Sequence, residues 1–377
     1  EWNDAYADMF NPNGSTNNTS ESVAPIQFYF RRYATATNLV NVDIGGGTTD
    51  IAFSSNGKVD YITSFKLAAN ALFQDSFSDI NPHNGIVDWF KNDICKLLES
   101  KNLSDLVNIF NSNDGQPSNM ASFLFSLKDN SATKELSRNN IDFNKILQND
   151  SKFKIVFIIF YTAIIYHIAQ IVKAKGLKAP RHIAFSGNGS KIISIISSNP
   201  KIIEKYTKII FEKVLGTNYE TDLGILGLEQ DSNPKEATCK GGLIVSEMLD
   251  DEPEELVLCD SSGKLADSTD TYATLTEERR KKIVESVNEF FNFVLIEIPA
   301  AIKLDDNFGV ENTSVKIAIK ECPKDLETYL DKGIALSINE SGNKDNPIED
   351  ALSFYPIKGV LQALSVKIKE YYDENPT

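Results

Sequence analysis

The stretch VDIGGGTTDIAF, residues 42–53, joins two apolar runs through three successive glycines. Glycine has no Cβ, so such a turn lets several backbone N–H groups face one point where side chains would block a ligand, which is how a phosphate is cradled. Asp43 stands just before Gly45, Gly46 and Gly47, and Asp50 just after, with Thr48 and Thr49 between. Carboxylates flanking hydroxyls in this way can hold a hydrated Mg2+, while the hydroxyls bond a phosphate or position a water. A hairpin needs only one or two special residues, so the Asp-x-Gly-Gly-Gly-Thr-x-Asp frame exceeds what turn geometry demands.

Outward from this turn, residues 39–44 are apolar and β-branched and residues 48–54 alternate. Residues 58–64 follow the Asn56-Gly57 pair, the strongest short hairpin signal. The three strands predict an antiparallel meander. A short helix is expected over residues 21–32 and a helical pattern over 65–77, followed by an Asn/Ser-rich, mostly helical insert over 78–151. Beyond the insert lie a strand at 182–186, a helix from about 190 to 214, a strand near 223–228 and a helix opening at Pro234. This order predicts one mixed α/β sheet with helices on both faces.

The run IVFIIFYTAIIYHIAQIV, residues 155–172, reaches the short limit of what spans a bilayer. Thr162, His167 and Gln170 interrupt it, Lys152 and Lys154 precede it, and Gly176 stops it ahead of the strand-like HIAFSG. It reads as a core helix buried on most sides, with no membrane span expected. Residues 247–260 hold seven acids and no base, the pattern of a solvated linker or edge. Farther on, a long helix is expected over 276–302, ended or kinked by Pro299, then a strand over 314–321 (SVKIAIKE) and two helical segments with a Lys/Tyr-rich end.

The chain has 377 residues, with 38 Lys plus Arg against 53 Asp plus Glu, a net charge of −15. Nucleic acid is therefore not an expected partner, because the basic stripe that displaces condensed counterions is lacking on a whole-chain scale. With 41% apolar residues the chain can build real cores, so global disorder is excluded. Cys95, Cys239, Cys259 and Cys322 show no paired spacing, which fits reduced thiols in a cytoplasmic setting. His83, His167 and His182 form no ligand pattern.

VDIGGGTTD resembles the second phosphate loop of the actin, sugar-kinase and heat-shock-chaperone superfamily, closest to the DnaK-type pattern D-L-G-G-G-T-F-D. HIAFSGNGSKII, residues 182–193, resembles the superfamily's adenosine motif, which places Gly187, Asn188, Gly189, Ser190 and Lys191 at nucleoside-binding positions. Lys191 departs from the family's arginine and cannot stack on a base as a planar guanidinium does. NPKEATCKGGLI, residues 233–244, resembles the closing hinge helix, with Ala237, Gly241 and Gly242 as the small residues that let two helices cross closely. ESVAPI, residues 21–26, is a weaker match to the first connecting helix.

The resemblance covers residues 21–247 and implies a ribonuclease-H-like mixed sheet binding ATP and Mg2+. In that reading, residues 1–36 are a polar lead-in and connecting helix, and 37–77 with 152–247 form the nucleotide-binding lobe. The insert is an α-rich subdomain over 78–151, and 248–377 form a mainly helical C-terminal extension. Asp43 and Asp50 would hold the metal and order the attacking water, Gly45, Gly46, Gly47, Thr48 and Thr49 would meet the terminal phosphates, and Glu21 would help position the water. The superfamily's first lobe carries its own D-x-G-T/S loop, which this sequence lacks, so the expectation is a second lobe weak or inactive without the first. A non-hydrolysing scaffold or filament module, using the insert or extension for self-assembly or a protein partner, is the alternative. A small-molecule kinase is a further one.

Overall fold

Residues 23–33, 38–56, 58–74, 76–77, 83–113, 115–129, 141–219, 222–228, 234–243, 253–256, 270–348 and 350–376 are described by a computed structural model. Glu21 and Cys259 lie outside the described residues. Helix α1 (Ala24–Arg32) has Pro25 in its first turn and Arg31 and Arg32 in its last, both matched to the asymmetry of helix ends. Strands β1 (Asn38–Ile44), β2 (Thr49–Ser55) and β3 (Lys58–Phe65) form the expected antiparallel meander. Ser55 pairs with Lys58, and Asn56 takes φ 49°, the left-handed conformation that a tight hairpin turn requires.

Among the described residues of the pattern expected to be helical over 65–77, a single turn is helical, α2 (Asn70–Phe73). The insert supplies α3 (Gly85–Ser100), α4 (Ser104–Ser112), α5 (Pro117–Ser126) and α6 (Phe143–Asn149). Next comes α7 (Lys154–Ala174), then β4 (His182–Ser186), parallel to β1. In place of one helix over 190–214 there is a 3-10 segment at Asn188–Ile192, a single turn α8 (Ile193–Ile196), and α9 (Pro200–Leu215). The break is written in Asn199-Pro200. Asn199 caps α9 by accepting from the Lys201 amide at 3.0 Å, and Pro200 has no N–H with which to continue the preceding turn.

Strand β5 (Gly224–Leu226) lies parallel to β4, and α10 (Pro234–Gly242) follows. Strand β6 (Glu254–Glu255), inside the acidic stretch, pairs parallel to β3 as an exposed edge. The sheet order is 5-4-1-2-3-6. Five of those strands, with β2 alone antiparallel to its neighbours, make the ribonuclease-H-like arrangement. On one face α1 and α10 pack Val23, Ile26, Tyr29 and Ala237 against Leu39, Ala52 and Ala184. The other face carries α7, which belongs to one continuous apolar core with the insert and the C-terminal helices.

Those helices are α11 (Glu277–Asn292), a π-turn (Phe293–Glu297), α12 (Ile298–Ala301), α13 (Leu304–Phe308), α14 (Asn312–Glu321), α15 (Leu326–Ser341) and α16 (Phe354–Glu374). The π-turn sits just before Pro299, and the amide of Ile298 reaches back five residues to the Phe293 carbonyl. Proline cannot donate to the carbonyl four residues earlier, so the ladder loosens here and the helix stops at Ile302. Residues 314–321 are helical, not extended. Alternating Val315, Ile317 and Ile319 suggested a strand, but the fully buried positions are Ser314, Ala318 and Cys322, spaced by four, while Ile319 is exposed.

Helix α7 is long and apolar enough to cross a bilayer, yet 94% of its apolar window is buried inside the protein. Its polar groups find partners there. Tyr161 shares a hydrogen bond with Thr207 at 2.5 Å, and Thr162 bonds both the Ile158 carbonyl and Tyr206, each at 2.7 Å. An all-round apolar helix is what a helix enclosed by sheet and helices requires.

Candidate functional site

The glycine turn closes the β1–β2 connection at one end of the sheet. The Gly45 amide donates to the Thr48 carbonyl at 2.9 Å, so that N–H is used within the turn. The carbonyls of Gly45 and Gly46 accept from the amides of Ala69 (3.2 Å) and Asn70 (2.9 Å), so the loop after β3 braces the turn from behind. Gly46 and Gly47 are exposed, and their amides have no partner among the described residues.

Asp43 and Asp50 are directly opposite each other in the β1–β2 register. Like charges so placed repel and cost stability, unless a cation or solvent screens them. Ser186 donates to Asp43 Oδ2 at 2.9 Å, and Asn41 Nδ2 donates to the Ser186 hydroxyl at 3.2 Å. Asn41 and Ser186 are fully buried, so a polar chain from inside the sheet fixes the Asp43 carboxylate. Thr48 Oγ1 donates to Asp50 Oδ2 at 3.3 Å. Thr49 is otherwise engaged: it is buried and donates to the Leu67 carbonyl at 2.6 Å, so its hydroxyl braces the loop after β3.

Gly187 begins the second motif at φ 76°, ψ 151°. A Cβ there would collide with Asp43 Oδ1 and the Ile44 carbonyl, and one at Gly189 would come within 2.5 Å of the Gly45 carbonyl. These two glycines therefore let the 187–191 loop lie directly on the glycine turn. Ser190 is buried and its hydroxyl donates to the Gly187 carbonyl at 2.7 Å, which shapes the loop. Asn188 and Lys191 are exposed.

The two motifs meet in one cavity of about 450 Å³, lined by Gly45, Gly46, Asn188, Gly189 and Lys191 from the motifs. Asn70 and Phe73 of α2 and Ser122 and Phe125 of α5 complete its walls, with Lys128, Asp129 and Asn144 also lining it. Phe73 and Phe125 meet edge to face, ring centroids 5.1 Å apart. The volume suits a small-molecule ligand, with apolar walls for its body and backbone amides and the Lys191 ammonium for an anionic end. The insert residues carry no motif, so sequence reading missed them. The signal for Asn70 was its place just past β3, where the chain returns to the turn.

Among the described residues no group of three or more metal-ligating side chains exists. The opposed pair Asp43 and Asp50 fits a cation that keeps most of its waters and uses few protein ligands, which is the habit of Mg2+. In the helix resembling a hinge, a Cβ on Gly241 would collide with the Ala24 carbonyl, so α10 and α1 do cross closely there. Gly242 faces open space and takes no part in that crossing.

Fold and site together define an α/β lobe of the ribonuclease-H-like type with a glycine-rich turn and a nucleoside-motif-like loop at one cavity. No protein-family model matches the chain, and no curated protein matches it. Among solved structures it is similar to the ethanolamine utilization protein EutJ from Carboxydothermus hydrogenoformans, at 14% identity and a TM-score of 0.24. That match covers 58% of this chain and spans about half, 52%, of the other. The fold assignment rests on the strand order, not on this likeness.

Proposed function

We propose that this chain is an ATP-binding lobe of the actin-like and DnaK-like kind, using Mg2+. The observation that carries the reading is the convergence of the glycine turn and the 187–191 loop, remote in sequence, on one cavity. Asp43, opposite Asp50 in the strand register, packs its carboxylate against Gly187 beside that cavity, outside its lining. The amides of Gly46 and Gly47 and the hydroxyl of Thr48 receive the terminal phosphates. Asp43, held by Ser186, and Asp50 hold the hydrated cation and order a water, a role in which Glu21 would assist. A divalent cation bound there offsets the phosphate charge. Asn188, Gly189 and Lys191 border the nucleoside, whose base lies against the edge-to-face pair of Phe73 and Phe125.

On this reading a second lobe, from the same polypeptide or another chain, completes the clamp for hydrolysis. A scaffold subunit with the same cavity would bind without turnover, and phosphate release separates the two. Titration calorimetry with Mg-ATP is the test, comparing the wild type with Gly46→Val, whose new side chain would press on the Asn70 amide 3.3 Å from the Cβ position. Affinity is expected to fall at least about tenfold in the variant, with the melting temperature retained. Indistinguishable titrations would sink the phosphate assignment.

A further inference from the structure

A second cavity, of about 530 Å³, lies where the C-terminal helices meet the lobe. Tyr166, Gln170 and Lys173 of α7 and Lys213 of α9 form one side. Asn288, Glu289 and Asn292 of α11, with Phe293 and Glu297 of the π-turn, form the other. Cations thus come only from the lobe and carboxylates only from the C-terminal layer, with Tyr166 and Phe293 between them, ring centroids 4.8 Å apart. Lys173, Lys213 and Glu289 form no ion pair among the described residues, and Glu297 is held by Asn292 Nδ2 at 3.0 Å. Burial, with the charges of Glu289 and Glu297 adding to it, pushes the Tyr166 phenol up, which keeps it a neutral hydrogen-bonding group.

Glu289, Phe293 and Glu297 follow one another at intervals of four, so they share the cavity side of α11 and the π-turn, while Ile296 is exposed.

We propose that this cavity binds a small zwitterion of the amino-acid or dipeptide class. Its carboxylate meets Lys173 and Lys213, its ammonium meets Glu289 and Glu297, and its side chain lies on Tyr166 and Phe293. Charge-assisted hydrogen bonds at both ends favour a molecule carrying both charges, because capping either end removes one of the two sets of contacts. The ligand would join the lobe to the C-terminal layer and stabilise both. The site is separate from the glycine-turn cavity and does not depend on the ATP reading.

The probes are the common amino acids and a panel of alanine dipeptides, each also in N-acetylated and C-amidated form, followed by thermal shift and calorimetry on the full chain. At least one zwitterion is expected to bind saturably and raise the melting temperature, with both capped forms at least about tenfold weaker. Glu297→Gln should weaken the preference against the N-acetylated form, and Lys213→Gln the preference against the C-amidated form. Both positions are exposed, so circular dichroism melts should show the fold intact. Absence of saturable binding across the panel, or capped forms that bind equally well, overturns the proposal.

Discussion

Asp43 is the residue on which the site turns, and its geometry depends on groups that no glycine motif contains. Asn41 and Ser186 lie beneath it, buried, and pass a chain of hydrogen bonds to its Oδ2. A carboxylate held in this way keeps its orientation without reorganisation. Ser186→Ala should therefore weaken ATP binding about three- to tenfold in Mg2+ and leave metal-free binding unchanged, as read by calorimetry with and without Mg2+. Equal losses in both conditions would make Ser186 a merely structural residue. His167 carries a different prediction. It is buried between Phe65 and Phe354, each ring centroid 4.9 Å away, and its Nε2 has no partner among the described residues. Burial lowers its pKa from 6.5 to about 3. Between those values the unfolded chain binds a proton that the folded protein refuses, so stability falls as pH drops through the window. The loss should be roughly 2–3 kcal/mol by about pH 4.5. His167→Leu should remove that part of the acid sensitivity. Urea melts at about pH 7.5 and 4.5 check it, and an unchanged pH slope in the variant would contradict it.

At the scale of elements, the crossing of α10 over α1 hangs on one glycine rather than two. Gly241→Ala puts a methyl group into the Ala24 carbonyl and should cost about 1–3 kcal/mol, while Gly242→Ala faces open space and should lie within about 0.5 kcal/mol of the wild type. Urea denaturation of the two variants distinguishes them, and equal effects would mean that the close approach is not energetically real. The meander, β4 and β5 were readable because alternation, a hairpin dipeptide and the flanking glycines agree there. Other elements were misread for physical reasons. In residues 314–321 the buried stripe is made of small side chains, Ser314, Ala318 and Cys322, so the larger residues that alternate were not the core-facing set. The single helix expected over 190–214 breaks at Asn199-Pro200, a cap and start signal that outweighs continued apolar periodicity. The π-turn left no sequence trace beyond Pro299. The cavity walls on α2 and α5 were illegible because Asn70, Ser122 and Phe125 act only through tertiary placement, and the Ser186 bond to Asp43 spans 143 residues.

For the whole molecule, the C-terminal layer explains why an apolar run long enough to span a bilayer is a core helix instead. Helix α7 is enclosed by the sheet, by α9 through paired tyrosines and threonines, by Phe354 of α16 and by Phe290 and Phe293 against Tyr166. A −15 charge and a phosphate-binding site are compatible, because the phosphate contacts proposed are backbone amides and a cation, neither of which enters the count. If the glycine turn, the 187–191 loop and α5 act as one nucleotide site, as proposed, amide hydrogen exchange with and without Mg-ATP will show it. Mg-ATP is expected to slow exchange together over residues 45–48, 188–192 and 117–128, and to leave the walls of the second cavity unchanged. Protection in only one of the three segments, or in none, would contradict it.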